Sequence, residues 1–270
     1  MSQYDGLDPG VILTHLGVGS VQSIAQVEGG ADTAVWRVQH GGEVSALRVF
    51  RADQAEPARR EQIALAASAE AGIPGPTVRM TGVWQGRPVL LLSWCPGRPL
   101  TEIILSQPSL LEPLAFEFGR MQARIHTVSA PAALAASHGA SLLHGDYHPG
   151  NVLADENGVT AVFDWVNVRT GDPCADLART TLLLRLSDPL PGIPQPQYRA
   201  MCRSFEAAWR RGYESVAEPI GDLAPFYTQA GEERLHELDG KSGSVAQQAR
   251  IRRWTAYWKH RACSKGLPFP

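Results

Sequence analysis

Three oxygen-bearing side chains stand out by type and spacing. Asp146 and Asn151 share the segment His144-Gly145-Asp146-Tyr147-His148-Pro149-Gly150-Asn151, and Asp164 follows beyond the apolar stretches that flank Asn157-Gly158. A carboxylate and an amide oxygen held side by side make a hard oxygen site of the type magnesium prefers. Aspartate, four residues, asparagine, a hairpin and a second aspartate is the order used for phosphoryl transfer. In that chemistry the loop aspartate accepts a hydroxyl proton while the other two residues hold metal on the phosphates. His144 and His148 flank Asp146, which also suits zinc, yet no third nitrogen or sulfur ligand follows at a usual spacing. His144 is read instead as orienting the loop through a hydrogen bond, and Asp176 as binding backbone amides near it.

These groups need a frame. Asn157-Gly158 suits the two central positions of a type I′ turn, which demands positive backbone angles at both. With those residues central, Asp155 faces Thr160, Leu153 faces Val162, and Asn151 faces Asp164 with β-carbons about 5 Å apart. Upstream, alternation over 18–27, 35–38 and 44–50, broken at Gly29-Gly30 and Gly41-Gly42, predicts a small antiparallel meander. Ala46 and Arg48 share one face of its third strand, and Leu47 and Val49 the other. An alanine-rich run from Glu56-Pro57 to Ala71-Gly72 predicts a helix, and 78–83 and 88–94 predict two more strands. Residues 1–95 therefore read as a sheet with one helix. A short helix over 8–16 precedes them, and Pro96-Gly97-Arg98-Pro99 reads as a connector. Residues 96–270 read as mainly helical, with helices over 110–126, 173–187, 197–213, 224–238 and 244–263 and one strand pair within 151–164.

Composition narrows the class. The chain has 270 residues, 44% hydrophobic and 19% charged, with a net charge of -2, and suits a globular enzyme with a sizeable core. No general basic field draws in nucleic acid, and no apolar run is long enough to span a bilayer. Neither is expected as a partner. No secretory pattern opens the chain, and Cys95, Cys174, Cys202 and Cys263 lack metal-like spacing, so a cytoplasmic setting with free thiols is expected. The only lysines are Lys241, Lys259 and Lys265, and no Walker A loop is present. A cation reaching nucleotide phosphate from the first 240 residues must then be arginine, histidine or a bound metal.

The segment His144-Gly145-Asp146-Tyr147-His148-Pro149-Gly150-Asn151-Val152-Leu153 with Phe163-Asp164-Trp165 resembles the catalytic motifs of the aminoglycoside phosphotransferase and choline kinase-like family. Gly171-Asp172-Pro173 with Asp176-Leu177-Ala178 resembles that family's next motif, and 119–126 the end of its preceding helix. The resemblance spans roughly 18–180 and implies a two-lobed, α+β, protein-kinase-like fold. It implies ATP (or GTP) and Mg2+ as cofactors, Asp146 as catalytic base, and Asn151 and Asp164 as metal ligands. It puts Arg48 where a phosphate-contacting lysine often stands, with Glu61 as its ion-pair partner. Gly29 and Gly30 would approach the phosphates, and the backbone of Ser93, Trp94 and Cys95 would form the adenine-binding hinge.

Departures from protein kinases favour a small-molecule acceptor over a protein. There is no G-x-G-x-x-G loop, Gly145 stands where protein kinases place arginine, and Trp165-Val166 replaces Phe-Gly. The rivals are a nucleotide-binding pseudoenzyme of the same fold and a protein kinase. Residues 186–240 hold nine acids against five arginines, and 241–270 seven lysines and arginines with no acid. That split is two solvated faces or, alternatively, an acidic cleft for a cationic acceptor.

Overall fold

The computed structural model describes residues 6–27, 33–134, 140–239 and 245–265. Helix α1 (Pro9–His15) starts at Asp8, whose carboxylate accepts from the Gly10 and Val11 amides. Strands β1 (Val21–Gln26), β2 (Thr33–His40) and β3 (Glu43–Phe50) follow, then helix α2 (Ala55–Glu70) and strands β4 (Val78–Trp84) and β5 (Arg87–Ser93). They form one antiparallel sheet in the order β1-β2-β3-β5-β4.

Strand β5 explains how this sheet joins the rest. Val89 and Leu91 pack with Ile12, Leu13, Leu47 and Val49, whereas Leu90 and Leu92 turn into the other core with Phe50, Ala58 and Leu65. That second core continues without a break into the helical part through Leu114, Phe118 and Trp165. Because both faces are covered, β5 reads as an unbroken apolar run rather than an alternating one.

The helical part begins with a two-residue strand β6 (Arg98–Pro99) and α3 (Leu100–Ser106), where the sequence reading expects only a connector. Seven residues are too few for periodicity to declare itself, although Leu100, Ile103 and Ile104 bury the i, i+3, i+4 face. Next come α4 (Leu111–His126), β7 (Ser141–Leu143), β8 (Val152–Asp155), β9 (Gly158–Val162), β10 (Arg169–Gly171), α5 (Pro173–Leu186), α6 (Gln195–Glu214), α7 (Ala224–Glu237) and α8 (Val245–Lys265). Helices α4 and α6 cross at two glycines. A β-carbon on Gly119 would lie 2.0 Å from the Trp209 carbonyl oxygen, and one on Gly212 1.9 Å from that of Phe116. Neither α4 nor α6 can carry a larger residue there without moving apart.

The hairpin register differs from expectation. Asp155 pairs with Gly158, so Glu156 and Asn157 are the central turn residues, and Leu153 pairs with Ala161 rather than Val162. Two side chains account for the shift. The Asp155 carboxylate accepts from the Asn157 amide at 2.7 Å and closes the turn early. A bulge follows on β9, where the Thr160 hydroxyl donates to the Pro96 carbonyl at 2.7 Å. At the open end Phe163, not Asp164, stands across from Asn151, its amide donating to the Asn151 carbonyl at 3.1 Å.

Candidate active site

Asp146 lies in the loop between β7 and a 3₁₀ turn at Pro149–Asn151, with 19% of its side chain exposed. The loop is fastened from several directions. Gly145 has φ +77°, and a β-carbon there would sit 2.0 Å from the Asn167 carbonyl oxygen, so the position admits only glycine. Its amide donates to Asp176 Oδ1 at 2.8 Å. Tyr147 stacks on Phe118 at 4.1 Å, donates its hydroxyl to the Phe118 carbonyl, and receives the Thr180 hydroxyl at its own carbonyl. His144 Nδ1 accepts from the Asp146 amide at 3.3 Å, so the proton sits on Nε2, which donates to the Phe163 carbonyl at 3.0 Å. With both ring nitrogens engaged, His144 has none left for zinc. Among the described residues no three His, Cys, Asp or Glu side chains form a metal-ligating group.

Asp176 is the anchor beneath this loop. It is fully buried and also accepts from Gln122 Nε2 at 3.1 Å and meets His126 Nε2 at 3.0 Å. Burial alone would raise its pKa. The His126 hydrogen bond, the charges of His126 and His144 and the Gly145 amide outweigh that and bring it down to about 2.

Asp146 itself faces His148 and Arg179. Its Oδ2 lies 3.6 Å from His148 Nε2 and its Oδ1 3.5 Å from Arg179. Burial pushes its pKa up, but the His148 hydrogen bond and the charges of His148, Arg179 and His144 hold it well below the usual carboxylate range. Oδ1 is nonetheless buried without a hydrogen-bond partner. Beyond the Arg179 guanidinium, nothing among the described residues approaches it as a donor.

Asn151 turns its Nδ2 to the Asp146 backbone carbonyl at 3.0 Å, and among the described residues no donor takes its Oδ1. Asp164 sits at φ +64° with its side chain 39% exposed, and gives Oδ1 to Arg48 at 2.6 Å. An amide oxygen and a partly free carboxylate are hard donors, and together they fit magnesium, which takes few protein ligands and fills its shell with water and phosphate oxygens. Arg48 bridges the two parts of the chain, since its other nitrogens reach Glu61 at 2.6 Å and the Thr33 hydroxyl at 3.2 Å. Glu61 is 1% exposed, and burial raises its pKa to about 7 against the opposing pull of Arg48.

The remaining expected residues divide. The Ser93 and Trp94 amides are donated to the Thr77 and Val44 carbonyls, which leaves their own carbonyls and the Cys95 backbone for the expected hinge. Continued pairing at the end of β5 with the β4 and β3 sides uses both, so Cys95 carries the one N–H of the three without a partner among the described residues. Gly29 and Gly30 lie outside the described residues.

A cavity of about 410 Å³ opens beside Asp146 and His148, walled by Ile104 of α3, Leu183 and Leu184 of α5, and Tyr198 and Phe205 of α6. Sequence reasoning missed Arg179 as a neighbour of Asp146. The available signal was a lone charged residue in 177–184, a stretch otherwise of alanine, leucine and threonine, about one helical turn after Asp176.

A 37-residue stretch is 49% identical to the uncharacterized protein YcbJ of Bacillus subtilis (strain 168), covering 13% of this chain and 12% of that protein. Among solved structures, a thermostable mutant of the aminoglycoside phosphotransferase APH(4)-Ia, in ternary complex with ADP and hygromycin B, superimposes with a TM-score of 0.67. It is 15% identical, and the match covers 92% of this chain and 96% of that one. The macrolide 2'-phosphotransferase MphH of Brachybacterium faecium gives 0.58 at 17% identity, over 91% and 95% of the two chains. The putative fructosamine-3-kinase of Haemophilus somnus 129PT gives 0.60 at 13%, again over 91% and 95%. These likenesses establish an α+β, kinase-like fold. The sequence profile of the phosphotransferase enzyme family (APH) matches residues 23–140 and 130–219, more than half of the 270 residues, and the chain belongs to that family.

Proposed function

We propose that this protein transfers the γ-phosphate of ATP, or GTP, to a hydroxyl of a small molecule, with the nucleotide held between residues 1–95 and 96–270. The observation that carries this reading is the Asp146 carboxylate: ionised, partly buried, and at the edge of a cavity large enough for an organic acceptor. The acceptor hydroxyl aligns on Asp146. Its oxygen bonds to the γ-phosphorus as the bond from phosphorus to the leaving diphosphate breaks, and Asp146 takes the hydroxyl proton. Asn151 and Asp164 hold magnesium, which supplies charge neutralisation on the phosphate oxygens when bound.

Arg48 is assigned to the phosphates, released in part from Asp164 when nucleotide arrives, with Glu61 keeping its guanidinium in place. Gly29 and Gly30 are assigned to the phosphates, and the Cys95 amide with the Ser93 and Trp94 carbonyls to the edge of the base. Catalysis here is mostly positioning, so a carboxylate of depressed pKa is no handicap. The unpaired thiols of Cys95, Cys174 and Cys202 suit a reducing, cytoplasmic setting.

The test is magnesium-dependent ADP release across a panel of hydroxyl compounds. One chemical class should stimulate release, and Asp146→Ala should lower turnover about 10²–10⁴-fold while nucleotide binding persists. ATP binding with no transfer to any small molecule or protein would leave a nucleotide-binding module, and label entering protein would make it a protein kinase.

A further inference from the structure

A second cavity, of about 500 Å³, adjoins the one beside Asp146 and shares Leu184, Ser187, Tyr198 and Cys202 with it as a common wall. Its lining differs in kind. Arg185, Arg199, Arg203, Arg250 and Arg253 converge on it from α5, α6 and α8, against Glu206 as its only carboxylate. Arg185 is held by Glu206, and Arg250 by Asp188 and the Leu186 carbonyl. Arg199, Arg203 and Arg253 have no hydrogen-bond or ion-pair partner among the described residues. Like charges one turn apart, as at Arg199 and Arg203 on α6 and at Arg250 and Arg253 on α8, repel and weaken a helix. Both pairs open on one concavity and make it positive, which favours an anion there.

The carboxylates near the two cavities are already matched. Glu206 takes Arg185 and Arg210, Glu237 takes Arg179 and Arg234, Glu233 takes Arg169, and Asp146 faces Arg179 and His148. An ammonium group entering beside Asp146 would meet carboxylates that arginines already engage, Asp146 itself through Arg179. Between Asp146 and the arginines the wall is apolar, with Ile104, Leu183, Met201 and Phe205.

We propose that the phosphate acceptor is an apolar alcohol carrying an anionic group: its hydroxyl lies at Asp146, its hydrocarbon part along the shared wall, and its carboxylate or phosphate in the arginine cavity. This rests on the kinase reading of Asp146 given above. Arginine's planar fork suits either anion, and guanidinium–carboxylate contacts are stronger than neutral ones.

The experiment uses three probes of one length that differ only at the end remote from the hydroxyl: octanoate with a terminal hydroxyl, octanediol and amino-octanol. Calorimetric binding and magnesium-ATP-dependent ADP release are measured with the full chain and with the exposed double variant Arg199→Glu, Arg203→Glu, whose folding is checked by thermal melting. The hydroxy acid is expected to bind at least tenfold more tightly than the amine and to be the best stimulant of ADP release, and the double variant is expected to erase that order. Equal binding, preference for the amine, binding by none of the three, or an order unchanged in the variant overturns the proposal. Arginine-dependent binding of the hydroxy acid without Asp146-dependent ADP release overturns it too, and assigns the failure to the kinase reading. ADP release driven best by the amine sinks the anionic acceptor and leaves the kinase reading intact.

Discussion

Arg48 contacts Glu61, Asp164 and Thr33 at once and joins β3 to α2 and to the segment after β9. Removing it strands a carboxylate that is 1% exposed. Arg48→Ala should therefore cost about 3–5 kcal/mol of stability, read as a shift of the urea midpoint, and weaken nucleotide binding as well. Arg48→Lys keeps the charge but not the fork, so it cannot serve both carboxylates and should recover stability only in part. A wild-type midpoint in Arg48→Ala would show that Glu61 is held by other groups. This contact is legible in the sequence as a lysine-free first lobe with one arginine on the third strand and, on the next helix, Glu61 away from the two ends where Glu56 and Glu70 stand. The third partner, Asp164, is not, because it is 116 residues away and no local pattern encodes the approach. Asp176 offers a second prediction. Its folded pKa is depressed from 3.8 to about 2, so the stability it supplies is complete above 3.8 and is lost as pH falls through about 2. The contribution is on the order of 2 kcal/mol. Asp176→Asn should lower stability at pH near 7 by an amount of that order, and the gap from wild type should close on acidification across that window. A gap that stays constant with pH would mean the carboxylate charge is not what holds Gly145.

At the scale of elements, the contact between α4 and α6 depends on Gly119 and Gly212. Gly212→Ala places a methyl 1.9 Å from a backbone oxygen, so the helices must separate, at a cost of about 1–3 kcal/mol from overpacking. Because α4 carries Phe118, whose carbonyl receives Tyr147, the same variant should lower kcat more than it raises KM for nucleotide. Unchanged kcat in a destabilised variant would separate the helix contact from the loop. Most elements are readable from period and punctuation: α2 from its alanine run between Pro57 and Gly72, α5 from Asp172-Pro173, α7 from the run that starts at Ala224. What escapes is short or displaced by tertiary contacts. Seven-residue α3 gives no periodic signal, and the β8–β9 register moves because Asp155 and Thr160 find partners that an Asn-Gly preference does not include.

Across the whole molecule, one core runs from α2 and one face of the sheet into the helices, and the other face of the sheet closes on α1. Nucleotide held between these parts should stabilise both. Magnesium-ATP at one hundred times its Kd should add about 2.7 kcal/mol and raise Tm, whereas ATP without magnesium should add less, and Arg48→Ala should blunt the shift. No change in Tm at saturating magnesium-ATP would place the nucleotide elsewhere or nowhere. The most direct measurement of the central claim is transfer of labelled γ-phosphate from ATP to the small-molecule fraction in a single turnover, by wild type and by Asp146→Asn at matched nucleotide occupancy. Label should appear in a phosphate ester with wild type and slow about 10²–10⁴-fold in the variant, with ATP affinity unchanged within a few-fold. Equal transfer rates in the two proteins would contradict the account, because the ionised carboxylate of Asp146 would then have no part in moving the phosphate.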